Sequence, residues 1–107
     1  MTRRAARIDA NQTAVVSALR AAGATVQSLA AVANGCPDLL VGFRNQTLLM
    51  EVKDGQKVKS AQKLRPLQAK WHAAWGGGAL ATVDGPEAAL RMLGVLRSAT
   101  KTHEVSA

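Results

Sequence analysis

Two short apolar runs lie almost back to back in the middle of the chain, and each carries one acid. Asp38-Leu39-Leu40-Val41-Gly42-Phe43 is bounded by Pro37 and by the polar triplet Arg44-Asn45-Gln46. The run Thr47-Leu48-Leu49-Met50-Glu51-Val52-Lys53 follows, and Asp54-Gly55 ends it. Apolar runs of this length between turn residues read as the two strands of a hairpin. With a two-residue turn at Arg44-Asn45, Phe43 faces Gln46, and counting back sets Asp38 opposite Glu51. Directly opposed residues share one side of a sheet at about 5 Å. Lys53, two residues beyond Glu51, shares that side. A three-residue loop without a bulge would instead put Asp38 and Glu51 on opposite faces.

The flanking segments alternate helix and strand. Asp9 to Ala22 is predicted helical, with Asp9 as cap and Gln12 three residues on. Val15, Leu19 and Ala22 fall on one face, and Gly23 suits the C′ position. Thr25 to Leu29 reads as a strand, and Ala30 to Gly35 as a loop. Pro66 suits the first turn of a helix in which Leu67, Trp71 and Ala74 or Trp75 recur at helical spacing. Gly76-Gly77-Gly78 stops it. Ala79 to Val83 reads as a strand, and Asp84-Gly85-Pro86-Glu87 opens a last helix to about Leu96. The expected fold is α/β, a mixed sheet flanked by helices in the order αβββαβα. Residues 1–8 are expected to form a basic arm, 9–97 a single domain and 98–107 a loose polar tail.

Composition narrows the function classes. A chain of 107 residues, 48% of them apolar, can bury one core. With only Phe43, Trp71 and Trp75 as aromatics, that core must be mostly Ala, Val and Leu. No run reaches the roughly 20 apolar residues of a membrane span. No apolar segment follows Arg3, Arg4 and Arg7, so a secretory leader is not expected. Cys36 is the lone cysteine, which excludes an internal disulfide and a Cys/His zinc cluster and suits a cytoplasmic protein. Fourteen Lys and Arg against seven Asp and Glu favour a polyanionic partner, nucleic acid before membrane. Lys53, Lys57, Lys59, Lys63, Arg65 and Lys70 concentrate that charge in one stretch. Such a stretch also fits a solvated basic surface, and basicity alone says nothing of catalysis.

Carboxylates inside apolar strands are costly unless paired or bound to a cation. Two of them facing each other, with an ammonium alongside, form an all-oxygen donor set suited to magnesium or manganese. The chemistry that uses such a set is phosphodiester hydrolysis. The ion polarises a phosphoryl oxygen and acidifies a water, and Lys53 positions that water or stabilises developing charge. Spacing alone leaves an exposed Asp–Lys–Glu cluster on an edge hairpin as an equal alternative.

Gly35-Cys36-Pro37-Asp38-Leu39-Leu40 followed by Glu51-Val52-Lys53 resembles the PD-(D/E)xK nuclease signature. More narrowly, it is similar to the VRR-type nuclease domain of phage-encoded and repair nucleases. Leu64-Arg65-Pro66-Leu67-Gln68 matches the Leu-x-Pro-x-Gln segment that opens that family's next helix. The likeness runs over about residues 9–96. It implies a restriction-endonuclease-like core in which Asp38, Glu51 and the Val52 carbonyl bind Mg²⁺ or Mn²⁺ and Lys53 is the catalytic lysine. Gln68 would lie beside the site, or serve as a first-turn polar residue only. The implied activity is hydrolysis of DNA, selective for branched or flapped structures, by a homodimer in the cytoplasm, that of the host cell if phage-encoded. Lys57, Lys59, Lys63 and Arg65 are the expected DNA contacts. One position departs from the family. Aligning on Gln12 puts Ala10 where relatives often carry Glu, which leaves the metal count open. Asp9, next to it, is either a substitute or a plain cap. The rival reading is a nucleic-acid-binding module that has lost catalysis.

Other features point elsewhere. Cys36 lacks a placed histidine partner and reads as a small semi-buried residue. His72 reads as a solvated or core-edge histidine, and Trp71 and Trp75 as packing residues. Glycines 76–78 lack the setting of a phosphate loop.

Overall fold

A computed structural model describes residues 10–53 and 64–94. Helix α1 (Ala10–Ala21) leads into strand β1 (Thr25–Ser28), the hairpin of β2 (Leu39–Phe43) and β3 (Gln46–Val52), helix α2 (Pro66–Ala74) and strand β4 (Ala79–Val83). Residues 86–94 form a further helix, α3. The sheet is mixed, in the order β1-β2-β3-β4, with β3 and β4 parallel and the other neighbours antiparallel. The α/β class and the order αβββαβα thus hold for the described residues. The expected cap Asp9, the basic arm and the tail lie outside them.

The hairpin has the expected register. Phe43 pairs with Gln46 and Leu39 with Met50. The turn residues Arg44 and Asn45 both have positive φ, 51° and 65°, the geometry of a two-residue turn whose twist matches the flanking strands. One further step back places Asp38 opposite Glu51. Asp38 is fixed from both sides, because its carbonyl accepts the Leu29 N–H at 2.7 Å and its Oδ2 accepts the Val52 N–H at 2.7 Å.

Alternation then sorts the side chains. Val26, Leu39, Val41, Leu48, Met50, Val52 and Val83 form the core with Val15 and Leu19 of α1 and Ala89 and Leu93 of α3. No aromatic side chain is fully buried among the described residues, and Met50 joins the expected Ala, Val and Leu. Burying each Leu or Val stabilises by roughly 1.5–3 kcal/mol. Gly23 ends α1 with φ 101°, a conformation that favours glycine. Ala22, expected on the buried face of α1, is exposed past the helix end.

Helix α2 stands apart from this core. It buries no residue, and Leu67, the first member of its apolar stripe, is 59% exposed. Trp71 and Trp75 stack on each other at 5.1 Å rather than entering the core. Gln68 is the residue that reaches the sheet, on the side opposite the apolar core, where Glu51 points. Among the described residues, no helix is long and apolar enough to cross a membrane.

Candidate active site

The C-terminal end of β3 brings the sequence-predicted residues together. Glu51 is 2% exposed, the only buried charged residue among the described residues. Lys53 follows the strand, its side chain 12% exposed and its Nζ 3.5 Å from Glu51 Oε2. Gln68, one turn into α2, joins the two: Lys53 Nζ donates to Gln68 Oε1 at 2.8 Å, and Gln68 Nε2 donates to Glu51 Oε2 at 2.8 Å. The Arg65 N–H also donates to Gln68 Oε1, at 2.8 Å, so the amide caps its own helix while spanning the site. Gln68 is therefore part of the cluster and also a first-turn capping residue. Glu51 Oε1 is buried and accepts no hydrogen bond from the described residues.

Burial raises the Glu51 pKa to about 7, and the neighbouring Asp38 carboxylate adds to the rise, against the opposing pull of Lys53. The carboxyl thus sits near its midpoint at neutral pH while an ammonium stands beside it. Cys36 is closer to this chemistry than its sequence context indicates. Its thiol pKa is raised by burial and then by the charges of Glu51 and Asp38. His72 lies four residues after Gln68, hence on the same helix face. Its pKa is lowered by burial and by the Lys53 charge, and its Nε2 is buried without a partner. It belongs to the edge of this cluster rather than to a solvated face.

Asn11 escaped the sequence reading. From the first turn of α1 its Nδ2 donates to the Lys53 carbonyl at 2.6 Å and to the Asp84 carbonyl at 3.2 Å. One amide thereby ties together the C-terminal ends of the parallel strands β3 and β4. Ala10 beside it is exposed. The Val52 amide, on the same residue as the expected carbonyl ligand, is what positions Asp38. Arg65 is exposed just ahead of α2. Lys57, Lys59 and Lys63 lie outside the described residues.

Gly35 explains how the loop before Asp38 reaches α2. Its φ is 88°, and a Cβ there would overlap the Leu67 carbonyl. Only glycine allows that backbone approach without displacement. The loop carrying Pro37-Asp38 and the helix carrying Gln68 are thus locked against each other.

No family model, curated protein or solved structure matches the chain.

Proposed function

We propose that this chain is a magnesium- or manganese-dependent nuclease that hydrolyses DNA phosphodiester bonds, a VRR-type domain with a restriction-endonuclease-like core. The observation that carries the reading is the buried Glu51 carboxylate, one oxygen of which accepts no hydrogen bond from the described residues, facing Asp38 and flanked by Lys53. A structural ion pair has no use for a second carboxylate that raises the pKa of the first.

The donor set fits a hard divalent cation. Asp38 and Glu51 offer carboxylate oxygens, and the Val52 carbonyl is the proposed third protein ligand. Among the described residues, no group of three or more His, Cys, Asp or Glu gathers. Water and substrate oxygens would therefore complete the shell, as magnesium commonly requires. A bound ion supplies Lewis-acid polarisation of the phosphoryl oxygen and a more acidic water. The chain's own residues do the rest. Asp38, held by the Val52 N–H, keeps one oxygen in fixed position. Lys53, held by Gln68, sets its ammonium against the charge that grows on the phosphorane oxygens. Water forms the new O–P bond, the ester P–O bond breaks, and the departing oxygen takes a proton.

Selectivity for branched or flapped DNA, a homodimer and a cytoplasmic setting belong to the same reading. The apolar face of α2 near the stacked Trp71 and Trp75, with Trp75 39% exposed, supports a dimer contact. The test is cleavage of linear, flapped and four-way-junction DNA with Mg²⁺ or Mn²⁺. Wild type is expected to cut, and Asp38→Ala and Lys53→Ala to bind without cutting. One observation favours the rival binding module. Ala10, where the resemblance implies a Glu, is exposed at the helix end nearest the site. Wild type that binds every substrate and cuts none would establish that rival.

A further inference from the structure

We infer that the cavity beside Gln68 is a nucleobase pocket, which takes the base of an unpaired nucleotide next to the phosphate that is cut. This inference rests on the nuclease reading above. The cavity has a volume of about 490 Å³ and is lined by the loop residues Ala33 and Cys36 and by Arg65, Pro66, Leu67 and Gln68. Its size falls in the range of roughly 300–1,000 Å³ typical of small-molecule sites. Its walls are largely apolar. Gln68 and Arg65 are the polar residues of that lining, and flat, polar-edged rings such as nucleobases suit apolar walls with a polar rim.

Three features tie the cavity to the site. Gln68 belongs to both, because the residue lines the cavity and its side-chain amide holds Glu51 and Lys53. Cys36 lines it too, and its thiol lies within electrostatic reach of Asp38 and Glu51. The walls are also fixed in place, since Gly35 brings the loop backbone directly onto the Leu67 carbonyl. A phosphate at Asp38 and Glu51 would therefore have its own or the adjoining base at the cavity mouth. Leu67 presents 59% of its surface there, uncovered by any other part of the described chain. Net charge +7 and the presence of Arg65 in the lining favour a polyanion over an apolar peptide as occupant. A base in intact duplex stays stacked. An unpaired nucleotide turns its base outward at little cost. The pocket thus accounts for a preference for flaps, ends and single strands.

Fluorescence anisotropy in the absence of divalent cation tests the idea separately from cleavage. The probes are a short single strand, the same strand with one abasic residue moved along it, and a blunt duplex. The proteins are wild type, Leu67→Ala and Leu67→Glu. Leu67 is exposed on the first turn of α2, so neither change threatens the fold. Wild type is expected to lose about tenfold in affinity, equivalent to about 1.4 kcal/mol, when the abasic residue occupies one position. In Leu67→Ala that loss should shrink to about threefold or less, roughly half the free energy. The pocket is overturned if abasic and intact strands bind wild type alike at every position. It is equally overturned if blunt duplex binds as tightly as single strand, or if Leu67→Ala weakens all probes equally. A dimer that Leu67→Glu dissociates, with base sensitivity unchanged, assigns Leu67 to a second copy and also overturns it. Flat binding alongside metal-dependent cleavage removes the pocket and leaves the nuclease. Base-sensitive binding without cleavage by wild type removes the nuclease and leaves the pocket. No binding to any oligonucleotide removes both.

Discussion

The pH dependence of folding stability tests the Glu51 environment most directly. Its carboxyl is raised from 4.5 to about 7, first by burial and then by Asp38. A group whose folded pKa exceeds its unfolded value favours the fold most below the unfolded pKa. It loses that contribution as pH rises through the folded one. Each pKa unit corresponds to about 1.4 kcal/mol. The span from 4.5 to about 7 therefore predicts a loss on the order of 3 kcal/mol between about pH 4 and pH 8. For a domain of this size that is a fall of on the order of 10 °C or more in Tm. The assay is thermal unfolding by far-UV circular dichroism in EDTA, across that range, for wild type and Glu51→Gln. Gln keeps the shape and cannot ionise, and its new NH₂ can donate to the facing Asp38. The variant should lack most of the decline and be more stable than wild type at the alkaline end. Adding Mg²⁺ should stabilise wild type more at alkaline than at acid pH and should affect Glu51→Gln little. Parallel curves for the two proteins in EDTA would refute the assignment of the decline to this carboxyl.

Gly35→Ala should cost at least about 2 kcal/mol, from its positive φ and from overlap with the Leu67 carbonyl, read by urea unfolding. Asn11→Ala removes the shared donor of the Lys53 and Asp84 carbonyls and should cost about 1–2 kcal/mol by the same measurement. Leu48→Ala, fully buried in β3, should cost about 2–5 kcal/mol, whereas Leu67→Ala should leave the midpoint almost unmoved. Asn45→Gly, at φ 65°, should leave stability equal or raise it by a few tenths to about 1 kcal/mol, checked by Tm.

The hairpin was legible because its information is local. Two apolar runs separated by a polar pair leave one short-turn register, and that register alone opposes Asp38 to Glu51. β4 and the end of α1 at Gly23 were readable for the same reason. The facing of α2 was not. Hydrophobic periodicity assumes that a helix presents its apolar stripe to an apolar partner, and Leu67 and Trp71 satisfy that pattern. The sheet surface under α2 instead carries Glu51 and Lys53, so the inward residue is Gln68 and the stripe faces out. Asn11 was invisible for another reason. Its partners are backbone carbonyls 42 and 73 positions away, and a carbonyl leaves no mark in sequence. The only available sign was an amide next to Ala10, where the family resemblance predicts an acid.

That substitution bears on how the proposed site would hold its ion. α1 approaches the ends of β3 and β4 through Asn11, an amide that donates to the Lys53 and Asp84 backbone and adds no negative charge. Among the described residues, the proposed ligands therefore carry at most the charges of Asp38 and Glu51, and the raised pKa of Glu51 keeps part of it protonated at neutral pH until a cation arrives. Lys53, 3.5 Å from Glu51, offsets part of what remains. So little negative charge holds a divalent ion weakly by itself, whereas substrate phosphate oxygens supply both ligands and charge. The arrangement thus supports one ion over two, recruited together with the nucleic acid. Mg²⁺ affinity measured on the free protein should accordingly be weak and steeply better at higher pH, and it should tighten when an uncleavable oligonucleotide is added. Strong binding of two ions per chain without nucleic acid, measured by calorimetry, would mean that the site draws on acids beyond Asp38 and Glu51.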